Sequence, residues 1–140
     1  MSPRARCQRG QSLVEASLGL SLLLALIVGT VDMGQLVYRY NGASEAAREI
    51  ARAASVHPGS GNLGDSPEVA SALVTQQALV PALVVDSFEC LDIAAMPMAG
   101  TCHPGSWVRV TVSSTFDPAL PLLMPFAPFV LTASGSAEIQ

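Results

Sequence analysis

The stretch from Leu13 to Val31, LVEASLGLSLLLALIVGTV, constrains this chain more than any other feature. It matches the ~20 residues that an α-helix needs to cross the hydrocarbon core of a bilayer. The overall composition agrees with an embedded segment. At 50% hydrophobic and 13% charged residues, with a mean hydropathy of +0.44, the chain is too apolar for an ordinary soluble domain or a disordered tail. Its 140 residues leave room for one further domain with a small core.

The flanks of the apolar run set its orientation. Arg4, Arg6 and Arg9 are three of the chain's seven basic residues, and all precede the run. Basic residues resist translocation, so the first ten residues are expected in the cytoplasm and the remainder outside. Beyond Val31 the chain continues Asp-Met-Gly-Gln, without the small-x-small site of a cleaved secretory signal and without a lipobox cysteine. The net charge of −4 and the absence of lysine remove the electrostatic footprint of a nucleic-acid binder.

Glu15 is the informative irregularity, since an ionised carboxylate costs about 2.5–3.5 kcal/mol at the bilayer centre. It either snorkels to headgroup depth or has a role that offsets the cost. The run Arg9-Gly10-Gln11-Ser12-Leu13-Val14-Glu15, followed by an apolar helix, resembles the processing site of type IV prepilins. That resemblance implies cleavage by a membrane prepilin peptidase after Gly10 on the cytoplasmic face, with Gln11 as the new N-terminus. It also implies that Glu15 is the assembly charge, which pairs with a neighbouring subunit's α-amine and sets register.

More narrowly, residues 9–55 resemble the TadE-like pseudopilins of the tight-adherence, Flp-type pilus system. The features are RGQ-x-x-VE, the Val-Asp-x-Gly step from Val31 to Gly34, and Asn41 with Ala46-Ala47-Arg48-Glu49 opening an Ala-rich helix. Gln11 stands where many type IV pilins carry Phe, and Ala16 where Flp major pilins carry Tyr, which points away from a major pilin. The partners implied are a prepilin peptidase, other pilin or pseudopilin subunits, an inner-membrane assembly platform and the lipid bilayer. The location implied is the bacterial inner membrane, single-pass, with possible entry into a surface pilus.

Beyond Asp32 the helical period persists through Met33, Leu36, Val37, Tyr40, Ala43, Ala47, Ile50, Ala51 and Ala54. One long helix is therefore expected, ending before Pro58. Ala43, Ala47 and Ala51 form a small-residue ridge suited equally to packing on a sheet and to a filament contact, and Glu45/Arg48 and Glu49/Arg52 are spaced to pair. Gly59 to Gly64 spells GxGxxG, but a helix and not a strand precedes it, so no nucleotide is expected there. Ser66 as N-cap, Pro67 and Glu68 open a second helix with Val69, Ala72, Leu73, Gln76, Leu79 and Val80 along one face, ended by Pro81.

The period then changes. Leu83–Cys90, Trp107–Phe116 and Phe129–Ile139 read as antiparallel strands, with Val108, Val110, Val112 and Phe116 on one face of the middle one. The expected fold is α+β: a long N-terminal transmembrane helix extending into a small extracytoplasmic domain with a second helix and a sheet of about three strands. The divisions are a leader at 1–10, a transmembrane helix at 11–31, an amphipathic extension at 32–56 and the domain at 57–140. Between the last two strands, the Pro-rich residues 117–128 hold Leu122, Leu123, Met124 and Phe126. These either fold back over the sheet, the preferred reading, or form an exposed patch for a partner or the bilayer.

Cys7 would leave with the leader, so Cys90 and Cys102 remain as an even pair in an oxidising compartment. A disulfide between them is expected to stabilise the domain by about 3 kcal/mol. Cys102 beside His103 is a poor nucleophile and base, because adjacent residues on an extended chain face opposite ways. No GxSxG, HExxH, CxxC pair or phosphate loop occurs, and Asp86, Glu89 and Asp92 read as a solvated acidic face. No enzymatic activity, cofactor or metal is expected. The rival readings are an uncleaved signal-anchored binding domain and a small extracytoplasmic hydrolase using Cys102 or a serine.

Overall fold

The structure is a computed structural model that describes residues 4–57, 63–98, 102–119 and 128–140, with side chains from residue 10 onward. Its elements are α1 (Arg4–Val56), α2 (Pro67–Leu79), β1 (Leu83–Leu91), β2 (Trp107–Phe116) and β3 (Phe129–Glu138). The strands form an antiparallel meander in the order β1-β2-β3. This is the α+β arrangement expected from the change of period along the chain.

α1 is one uninterrupted helix of 53 residues, and its two halves meet different surroundings. From Gly10 to Val31 no residue is buried by the rest of the protein. From Asp32 a seam turns toward the domain, with Asp32, Leu36, Arg39 and Ala43 following at spacings of four, three and four. Such spacings stay on one helix face. The seam continues through Ala46, Ala47, Ile50, Ala51 and Ala54, each with 0% exposure. The Ala ridge therefore packs on the sheet, which decides between the two uses that its spacing allowed.

The sheet covers this seam with small residues of its own. Gly135 on β3 lies so close to α1 that a Cβ there would meet the Ala47 carbonyl carbon and the Arg48 nitrogen at 2.5 Å. Only a residue without a side chain permits that approach. β2 alternates as its sequence predicts, with Val108, Val110, Val112 and Phe116 buried against the helix. Ser114 interrupts the apolar series on the same face, and its buried hydroxyl donates to the Pro81 carbonyl at 2.9 Å. The register shift between Val85 and Ser87 sets Asp86 apart from the ladder, where its carboxylate accepts from the Ser113 hydroxyl at 2.8 Å.

α2 begins as its cap predicts: the Ser66 hydroxyl accepts from the Val69 amide at 3.4 Å and Pro67 occupies the first turn. Its expected apolar face is only partly used. Val69 and the capping Val80 are buried, whereas Leu79 is 65% exposed. Val80 instead closes the helix end against α1, where a Cβ on Gly42 would lie 3.0 Å from its side chain. α1 stops at Val56, ahead of Pro58, and among the described residues Glu49 with Arg52 is the predicted ion pair that forms.

The end of the domain far from the apolar run is stapled twice. Cys90, at the end of β1, and Cys102 are joined by a disulfide with their Cα atoms 5.5 Å apart. The intervening chain folds back through Asp92 and Met96, and the Met98 amide donates to the Cys90 carbonyl at 2.8 Å. His103 to Ser106 then makes a turn in which Pro104 precedes Gly105 at φ +86°, the left-handed position that such a turn gives to glycine. Gly105 and Ser106 exchange backbone hydrogen bonds with Ile139, which fixes the end of the chain.

Candidate functional site

Two places along α1 carry polar groups that an apolar span does not explain. The first is the N-terminal turn region with Gly10, Gln11 and Glu15, all of them exposed. Gln11 and Glu15 are four residues apart, which puts them on one helix face a single turn from each other. A Cβ at Gly10 would meet nothing within 4 Å, so packing inside the chain does not require glycine there. The same is true of Gly19, Gly29 and Gly34 in and beside the apolar run, in contrast to Gly135. In a helix, an interior glycine lowers stability by about 1 kcal/mol relative to alanine, a cost that Gly10 shares with Gly19, Gly29 and Gly34.

The second place is the exit of the apolar run. Asp32 is only 3% exposed, and both carboxylate oxygens accept from the Ala119 amide, at 3.2 and 3.1 Å. Two turns further on, the Arg39 guanidinium donates to the Thr115 carbonyl at 3.1 Å and lies 5.2 Å from the centre of the Phe116 ring. The end of β2 and the chain after it are thus held to α1 at two levels. The sequence alone marked Asp32 as part of a motif and left Arg39 unassigned. The available signal was their phase, since both fall on the helix face that later carries Ala43.

The other candidates do not converge. Asp86 is bound to Ser113, Asp92 accepts from the Ile93 amide at 2.6 Å, and Glu89 stands opposite Arg109 in the strand register. Among the described residues no group of three acidic, His or Cys side chains is placed to hold a metal ion. The disulfide engages the Cys102 sulfur that a Cys102–His103 nucleophile would need. The apolar residues Leu122, Leu123, Met124 and Phe126 lie outside the described residues, as do the first glycines of the GxGxxG stretch. Glu49 sits below the ordinary carboxylate range because Arg52 hydrogen-bonds to both of its oxygens, at 3.0 and 2.6 Å.

Both places fall inside one stretch that matches a family model. Residues 10–52 match the model of TadE-like proteins. This segment is TadE-like. The match begins at Gly10 and ends within the buried Ala seam, so it covers the apolar span, Glu15, Asp32, Arg39 and most of the helix that packs on the sheet. The apolar TadE-like helix also fits a single-pass membrane anchor by length and composition. No curated protein and no solved structure matches the chain.

Proposed function

We propose that this chain is a minor pseudopilin of a tight-adherence pilus, inserted through α1 with its N-terminus in the cytoplasm and its α+β domain outside. A prepilin peptidase cuts it after Gly10. The mature chain begins at Gln11, and Glu15 is the charge that pairs with another subunit when the helix leaves the bilayer. The observation that carries this reading is the TadE-like match over residues 10–52, which starts at the glycine of the RGQ-x-x-VE run. The exposed position of Glu15 at the start of the apolar run supports it, because a carboxylate on such a span is retained where it has a use.

In this role the chain is a peptidase substrate and a structural subunit, and the disulfide is its staple outside the cell. Its partners are the peptidase, other pilin subunits and the inner-membrane assembly platform. The proposal is tested by complementing a deletion in the pilus-bearing cell with wild type, Glu15→Gln and Glu15→Leu. Surface pili are expected with wild type and lost or sharply reduced with both variants, while the full-length and mature proteins stay at normal levels in the membrane. Normal piliation with Glu15→Leu would contradict the assembly role of that charge.

A further inference from the structure

We infer that the corner of the domain where β2 ends is a foot that rests on the lipid bilayer, held down by Asp32. The inference depends on the membrane anchoring just proposed. Leu13 to Val31 rises about 28 Å as a helix, close to the ~30 Å hydrocarbon thickness, so Asp32 falls at the outer boundary of the acyl region. A carboxylate at that boundary is stabilised by a protein donor. The Ala119 amide is such a donor, at 3.2 and 3.1 Å, and it belongs to the domain rather than to the helix.

This contact fixes the height of the domain. α1 runs unbroken from the span into the core, so span and seam move together. Arg39, about 10 Å further along the helix, adds the second point of attachment through Thr115 and Phe116. Ala119 is itself exposed and lies level with Asp32, at the depth where headgroups meet acyl chains.

The helix surface beside this corner has the chemistry of that layer. Met33, Val37 and Tyr38 are 53%, 50% and 76% exposed. Helical side chains lean toward the N-terminus, so the Tyr38 ring covers the turn below it and falls within the headgroup layer. Tyrosine is favoured there because its ring is apolar and its hydroxyl is wet. The occupant of this surface is the outer leaflet of the membrane in which α1 is anchored, and the surface is continuous with the apolar span.

The test is a depth measurement on the full chain, with Cys7→Ser and the disulfide intact, in vesicles of phosphatidylethanolamine and phosphatidylglycerol. Spin labels are placed one at a time at Leu22→Cys, Ala119→Cys and Thr111→Cys, and relaxation by oxygen is compared with relaxation by a water-soluble nickel complex. The expected result is a Leu22 label at mid-bilayer, an Ala119 label within the ~5–7 Å headgroup layer and a Thr111 label in water. Adding Asp32→Leu is expected to move the Ala119 label into water without moving the Leu22 label, and Asp32→Asn, which still accepts from an amide, is expected to leave both in place. An Ala119 label in water beside an embedded Leu22 label overturns the foot. A Leu22 label in water overturns the membrane anchor instead. If Asp32→Leu unfolds the domain, the wild-type depths alone still decide the question.

Discussion

The two halves of α1 have the same backbone and opposite side-chain rules. Before Asp32 the helix presents Leu, Val and Ile outward, and the protein buries none of it. After Asp32 the inward positions are mostly Ala, at 0% exposure, and the large residues Met33, Val37 and Tyr38 remain outside. The difference follows from what each half packs against. Lipid chains accommodate any large apolar shape, whereas a sheet approaching to backbone contact at Gly135 requires that the helix give up its side chains. Ile50 is the one large residue on the buried seam between Ala43 and Ala54.

That contrast is most directly broken at its closest point. Gly135→Ala places a methyl group 2.5 Å from the α1 backbone, and it is expected to lower domain stability by about 3 kcal/mol, the upper part of the overpacking range. Thermal unfolding followed by the fluorescence of Trp107, the chain's single tryptophan, reads this out. The paired change Cys90→Ser, Cys102→Ser comes next, at about 3 kcal/mol or slightly less, because it frees a loop with a sequence separation of 12. It is expected to leave the depth of the Leu22 position in the membrane unchanged.

Ser66→Ala removes the cap of α2 and is expected to cost about 1 kcal/mol in the same assay. A smaller effect sharpens the account of the exposed side of α1. Glu49 is held below the ordinary carboxylate range by Arg52, so the pair's contribution is present above that range and lost as the pH falls through the lowered folded value. Arg52→Gln is expected to reduce the melting temperature slightly at pH 7 and by progressively less as the pH falls below the ordinary carboxylate range, with the difference fading in high salt. Leu22→Ala, in the other half of the helix, is expected to change domain stability by less than about 0.5 kcal/mol. A large loss there would show that the two halves are coupled.

Much of this fold was legible in local sequence signals. β2 was bounded correctly because Val108, Val110 and Val112 alternate with polar residues between Gly105 and Asp117, and α2 because Ser66 and Pro67 announce it. What stayed hidden depends on residues far apart in the chain. The closeness of Gly135 to Ala47 has no local signature, since glycine in a Ser-rich strand reads only as a weak position. Leu79 fitted the apolar face of α2 by period, but α2 is short and turns its end toward Gly42, which leaves that side chain in the open. Asp32 and Arg39 were visible as residues, and their use emerged only when the chain after β2 arrived beside them.

The candidate site divides in the same way. Gly10, Gln11 and Glu15 were picked out by motif, and their surroundings in the folded chain add only that nothing packs on them. The role proposed for them depends on a peptidase and on other subunits, and it is there that the account is most exposed to test. The decisive measurement is the mature N-terminus by mass spectrometry, after expression with an active prepilin peptidase, for wild type and Gly10→Ala. The account predicts a chain beginning at Gln11 in wild type and an uncut chain in the variant. A wild-type chain that keeps residues 1–10 while a control prepilin is cut would contradict it and leave a signal-anchored binding domain in its place.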